Sequence, residues 1–192
     1  MSAPAATPGA PYASQAVRRL DALPAAELER VFLRGETPDL EALVGWEFRG
    51  LNTGVWAPYS PIRKFIKGIY RDPASGQAYG YNEPVVQNGL GGPWIAKPDD
   101  AAPKRFGFYW VGPVDARSRD NAYLHALLLD YGRGRNSALE PARVLRDYLV
   151  RAEPGSDDLL LGKAYAALGP ARVPVGFFVL ERHRPSDWVR PT

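Results

Sequence analysis

The chain has 192 residues, 45% of them hydrophobic, which suits one globular domain with a single good core. Its 24 basic and 21 acidic residues leave a formal charge of +3, and the basic residues are scattered, so the clustered positive face of a nucleic-acid binder is missing. There is no cysteine, which excludes disulfides, thiolate metal sites and a cysteine nucleophile.

Residues 1–14, MSAPAATPGAPYAS, are rich in Ala and Pro, with too little bulky apolar content to offset the entropy of ordering them, so a disordered tail is expected. The tail lacks the basic start and apolar core of a secretory signal, and no apolar run approaches the length of a membrane span, which makes a cytoplasmic location the simplest expectation. A helical part is expected over about 22–45. Leu23, Leu28, Val31 and Phe32 fall near helical spacing, Pro24 suits a first turn and Gly35 a stop. A second short helix is expected from Thr37, with Pro38 at its first position and Gly45 at its end. The stretch from Leu43 to Asp72, LVGWEFRGLNTGVWAPYSPIRKFIKGIYRD, then forms the junction between helices and sheet.

Beyond Arg63 the segments become short, rich in aromatic and β-branched residues, and separated by turn residues. KFIKGIYRD, QAYGYN, RFGFYWVGPVD, YLHALLLDYG, ARVLRDYLVRA, DLLLGKAYAAL and VPVGFFVLER read as antiparallel strands. RFGFYWVGPVD is the strongest, with Phe106, Phe108 and Trp110 on one face and Tyr109 and Val111 on the other. The fold class is mainly β, a closed barrel or a sandwich, in a single domain over 15–192. Residues 138–150 leave helix and strand both open, because Leu139, Val144, Leu145 and Leu149 do not settle the period. The Gly- and Pro-rich loop from about Asn88 to Lys104, which carries Trp94, is expected near the mouth of a binding site, as a lid or rim.

On the residues LVGWEFRG, Thr53–Gly54, KFIKG, LLLDYG, LRDYLV, DDLLLGKAY and FFVLER, the chain resembles the bacterial calycin-like family of unknown function named for its GXWXG motif, together with the β-rich region that usually follows it. The motif is altered here, since Gly45 directly precedes Trp46 and Gly50 follows only after EFR. The resemblance implies a small up-and-down, lipocalin-like barrel with helices over one end, and no established activity. It also implies that Arg182 of the last strand covers Trp46 at the first, closing the barrel base.

Candidates for chemistry are few. His125 and His183 have no partner at metal-ligand spacing, so no metal site is expected. His125 is either a satisfied core residue or a lumen base; no cofactor is expected, although calycin-type haem proteins make a haem held by His125 the one alternative. His183 is expected at the surface. With regular alternation His125, Leu127, Leu129 and Tyr131 share a face, and Asp130 points the other way, either as a partner for Arg146 or as a rim carboxylate. Asp147 reads similarly. Lys64 and Lys67 have opposite parity, so at most one faces inward, where it would bind a carboxylate or carbonyl; the plain alternative is two solvated lysines guarding an edge. Tyr59, Tyr70, Tyr79, Tyr81, Trp94, Phe108, Tyr109 and Trp110 crowd the first half of the sheet, with Asn82 and Asn88 as polar hooks. Phosphate-binding-loop and nucleophile-elbow signatures are absent.

The expected function is therefore binding of a hydrophobic or amphipathic small molecule in the barrel, at Tyr70, Tyr81, Trp94, Tyr109, His125 and Tyr131. The alternative is an enzyme on the same scaffold, a cyclase, isomerase or hydratase with His125 or Asp130 as acid or base. No nucleic-acid partner is expected, and the oligomeric state is left open.

Overall fold

The computed structural model describes residues 12–54 and 62–191. Most of the expected disordered tail, and Tyr59 of the aromatic group, lie outside the described residues. Tyr12 to Ser14 are tied to the sheet: Arg49 donates to the Tyr12 carbonyl at 2.7 Å, and Ala13 is buried.

Eight antiparallel strands form one closed barrel in sequence order: β1 (Trp46–Thr53), β2 (Lys64–Arg71), β3 (Ala78–Pro84), β4 (Phe106–Pro113), β5 (Leu127–Asp130), β6 (Leu145–Arg151), β7 (Leu159–Leu168) and β8 (Ala171–Pro185). Closure comes from pairing β1 with β8, Arg49 opposite Glu181 and Leu51 opposite Val179. Full closure removes the free edges that an open sheet would expose.

The wall is buried on both sides. Inward-facing Phe48, Phe65, Ile69, Ala78, Tyr109, Val111, Leu127, Leu129, Leu149, Leu160, Phe178 and Leu180 form one lumen cluster that draws on every strand. The outward positions Leu51, Ile66, Leu128, Tyr148, Val150, Leu159, Leu161 and Val179 form a second layer. Onto that layer pack α1 (Gln15–Asp21), through Val17 and Leu20, and α2 (Ala25–Arg34), through Leu28 and Phe32. Two-sided burial explains why β5 reads LLLD and β6 LRDYLVR with no clean alternation. It also resolves the ambiguous stretch: Pro141–Val144 is a 3-10 turn and β6 a strand.

The helices start where their caps are. The sequence reading begins the helical part at 22, but α1 precedes it, with the Ser14 hydroxyl accepting from the Val17 N–H at 3.2 Å. Its two buried apolar residues are too few to show a period. Pro24 is the N-cap of α2 rather than part of its first turn. Asp39, not Thr37, caps the short α3 (Leu40–Leu43), accepting from Glu41 N at 3.0 Å. Gly45 then adopts φ of 81°, a left-handed conformation that favours glycine, and turns the chain into β1. There α3 inserts Leu43 into the lumen cluster, and the Arg182 guanidinium lies 4.5 Å over the Trp46 ring, so the expected basal pair is present.

The loop after β3 packs against the outer wall through Trp94. Val85 bridges Ala96, and Trp94, 4% exposed, joins the outer layer with Leu51 and Ile66, its indole N–H donating to the Gly50 carbonyl at 3.2 Å. It forms a strap along the outer wall. The strap is fastened by Lys64, which is fully buried instead of solvated. Its ammonium lies 4.0 Å from the Trp94 ring and donates to Asn88 Oδ1 (2.5 Å) and to the carbonyls of Gly89 (3.1 Å), Gly92 (2.9 Å) and Pro93 (3.0 Å).

Candidate functional site

In β2 the alternation that turns Phe65 and Ile69 inward turns Lys67 inward between them, into a largely apolar lumen. Lys67 is 3% exposed, so it is not the solvated edge lysine of the plain reading. Its Nζ donates to Asn82 Oδ1 at 2.9 Å and to the Tyr131 hydroxyl, and lies 3.3 Å from Asp147 Oδ2. Tyr131 in turn donates to Asp147 Oδ2 at 3.2 Å. Asn82 is oriented by donating to the Gly107 carbonyl at 2.7 Å. Four rings surround the ammonium: Tyr109 at 4.7 Å, Tyr131 at 5.1 Å, Phe178 at 5.3 Å and Phe65 at 5.6 Å.

Removing an ion from water costs several kcal/mol even after relaxation, roughly offset only when its partner is close and its remaining hydrogen-bonding groups are satisfied. Lys67 meets that condition with three oxygen partners. Asp147 meets it in part, because its Oδ1 has no hydrogen-bond partner among the described residues. Burial pushes the Lys67 amine down and the Asp147 carboxyl up, and the attraction between the two opposes both shifts. Burial also raises the Tyr131 and Tyr109 hydroxyls, with the Asp147 charge adding to both.

The rings that line this part of the lumen lie against glycines. A Cβ on Gly50 would come within 2.1 Å of the Phe65 ring, one on Gly80 within 2.2 Å of Tyr109 and one on Gly162 within 2.1 Å of Phe178. These three rings therefore occupy this part of the lumen, each stacked on a backbone position without a side chain. Eight strands enclose space for such a filling or for one small ligand. The two cavities that flank Ala152, of about 190 and 220 Å³, lie beneath α1 and α2 outside the barrel.

Of the residues singled out from sequence, the structure brings Tyr109 and Tyr131 together in the lumen, with ring centroids 5.0 Å apart. Tyr70 and Tyr81 are on the outer face, where Trp188 of the C-terminal segment meets them at 5.4 and 4.7 Å. Trp94 belongs to the strap. His125 does not share the inward face of β5, because the strand begins only at Leu127. Its ring packs beside Phe32 of α2 and Tyr123, with Nε2 3.3 Å from the Phe32 carbonyl. That position does not fit a haem ligand in the lumen. Asp130 faces outward, pairs with Arg146 at 3.1 Å and accepts from Gly132 N at 2.8 Å, capping a 3-10 turn. Lys67, Asp147 and Asn82 each drew notice in the sequence; Lys67 and Asn82 are cross-strand partners in the β2–β3 pair, whereas Asp147 of β6 reaches them only across the closed barrel.

A second polar cluster sits on the outer wall and has no forerunner in the sequence reading. Glu47 of β1 accepts from the Tyr81 hydroxyl (2.8 Å) and from Arg184 Nε (2.6 Å). Neighbouring Glu83, fully buried, lies 3.0 Å from Arg105 Nε and 3.7 Å from Arg184, yet neither of its oxygens has a partner with hydrogen-bond geometry among the described residues. Burial, then the Glu47 charge, lift the Glu83 carboxyl to about 7. His183, expected at the surface, is buried beside this cluster, and desolvation and the charges of Arg49 and Arg184 hold it down at about 4. Among the described residues no three His, Asp or Glu side chains are placed to hold a metal ion, and no helix is long and apolar enough to cross a membrane. Comparison with protein-family models, with curated proteins and with solved structures finds no match to this chain.

Proposed function

We propose that the chain is a calycin-like barrel that binds a small amphipathic molecule in its lumen, the polar end against Lys67, Tyr131 and Asn82 and the apolar body against Phe65, Tyr109 and Phe178. The observation that carries this reading is the Lys67–Asp147 pair. Well-packed apolar residues usually serve stability as well as a buried ion pair does, or better, so the charge is in the lumen at a cost that recognition of a ligand would explain. The lysine supplies a donor for a carbonyl or carboxylate, and the unpartnered Asp147 Oδ1 awaits a donor. Entry of a ligand would require Phe65 or Phe178 to swing off its glycine, a side-chain rotation that leaves the strand in place. Kinship with the GXWXG calycin-like proteins is part of the same proposal and rests on the quoted residues and the basal Trp46–Arg182 contact.

The test is a thermal-shift and native mass-spectrometry screen of small aromatic carboxylates, alcohols and aldehydes against the purified chain and a Lys67→Met, Asp147→Leu double variant. Ligands that stabilise the unaltered chain and lose that effect in the double variant support the proposal. Stabilisation that survives in the variant would place binding elsewhere.

A further inference from the structure

Resting on the lumen-binding reading, we propose that Lys67 Nζ captures an aldehyde ligand covalently as an imine, with Tyr131 and Asp147 as its proton relay. Three observations place the chemistry here. First, the amine is in an aromatic box from which bulk water is excluded, and water is the product that must leave for an imine to persist. Second, the Tyr131 hydroxyl touches both Lys67 Nζ and Asp147 Oδ2, so one group connects the nucleophile to a carboxylate. Third, Asp147 Oδ1 is buried without a partner, free to accept the proton the amine must shed.

The step balances without a further reactant. The ammonium first gives one proton to Asp147, and the neutral amine attacks the carbonyl carbon, forming the C–N bond as the C=O π pair moves to oxygen. Tyr131, re-protonated from Asp147, passes that proton to the alkoxide, and Asp147 then accepts the second proton lost from nitrogen. By the same route through Tyr131 this second proton reaches the carbinolamine hydroxyl, the C–O bond breaks with loss of water, and the nitrogen lone pair closes the C=N bond, leaving Asp147 ionised again. The iminium keeps its positive charge where the ammonium had it, 3.3 Å from the aspartate. Burial already draws the lysine toward its neutral form.

The other lysines lack this setting. Lys64 is enclosed by four oxygen acceptors. Lys163 donates twice to Glu29, at 2.6 and 2.8 Å, which together with Tyr123 holds it charged. Lys97 and Lys104 are exposed.

The experiment incubates the intact chain with benzaldehyde and sodium cyanoborohydride near neutral pH and maps benzylated lysines by peptide mass spectrometry, with the urea-unfolded chain as reference. The expected result is labelling of Lys67 ahead of exposed Lys97 and Lys104 in the folded chain, with that preference abolished by urea and reduced at least tenfold in Asp147→Asn. Because the main reading is made on the unaltered chain, it does not depend on a variant folding. Benzyl alcohol, which forms no imine, is titrated in parallel. If it binds while Lys67 stays unlabelled, the imine is refuted and the binding proposal stands. If neither compound binds or labels the lumen, both fall together.

Discussion

Replacing Lys67 by Met leaves the Asp147 carboxylate alone in a lumen where it is 3% exposed, and replacing Asp147 by Leu leaves the Lys67 ammonium there. Breaking a buried pair from one side costs about 3–5 kcal/mol, because the surviving ion is desolvated without its counter-charge. For a chain of this size that is a fall in Tm of roughly 6–20 °C, at about 2–4 °C per kcal/mol. The double replacement behaves differently. It removes both charges and fills the space with side chains of similar volume, leaving Tyr131 and Asn82 within 3.4 Å to satisfy one another. Its expected cost is about 0–1 kcal/mol, far below the sum of the two single changes. Urea unfolding followed by tryptophan fluorescence, with slopes compared to verify that the same surface is exposed, measures all three variants. Additive losses would refute the coupling across the lumen. Single-variant losses under about 1 kcal/mol would refute the dry environment, since exposed pairs are worth only that much.

Glu83 sets a pH dependence whose sign follows from its raised pKa. The unfolded carboxyl loses its proton near 4.5 and the folded one near 7, so stability is full below about 4.5 and declines as pH rises to about 7. Glu83→Gln should flatten this decline in Tm measured from pH 5 to 8; an unchanged slope would assign it to another group. Lys64→Met should release the strap, visible as faster hydrogen exchange over residues 86–96 with β4 to β7 unaffected. Loss of protection throughout the barrel would show instead that the strap is integral to the core. Arg182→Ala removes the cover of Trp46 and the bond to the Ala42 carbonyl, and should cost about 1–2 kcal/mol with a change in tryptophan emission. An unshifted spectrum would mean that the base stays closed without it.

The barrel was legible in the sequence where one signal dominated. Phe106 to Pro113 alternates cleanly, and the strand is where the pattern puts it. Leucine runs such as Leu127 to Leu129 and Leu159 to Leu161 hid their period because α1, α2 and the strap bury the outer face as fully as the lumen buries the inner one. The same two-sidedness misdirects a search for site residues. Tyr70, Tyr81 and Trp94 are as aromatic and as buried as Tyr109 and Tyr131, but strand parity and the path of a loop put them outside. Lys67 carried the clearest local sign, a charge at an inward position between Phe65 and Ile69. Its partner on β6 and the Glu47–Glu83 contact depend on which strands become neighbours, and that is a property of closure rather than of any segment.

At Gly50 and Gly68 the barrel wall is only one backbone thick. The Phe65 ring rests on the inner side of Gly50 while its carbonyl takes the Trp94 indole N–H from outside. The Tyr81 ring covers the outer side of Gly68 while its carbonyl takes the Tyr109 hydroxyl from within. Lumen and exterior thus share two peptide groups as a common membrane, across which a displaced ring on one side alters a hydrogen bond on the other. Trp94 becomes a reporter of what occupies the barrel: its emission should shift when a lumen ligand moves Phe65, and stay constant for a molecule held beneath α1 and α2.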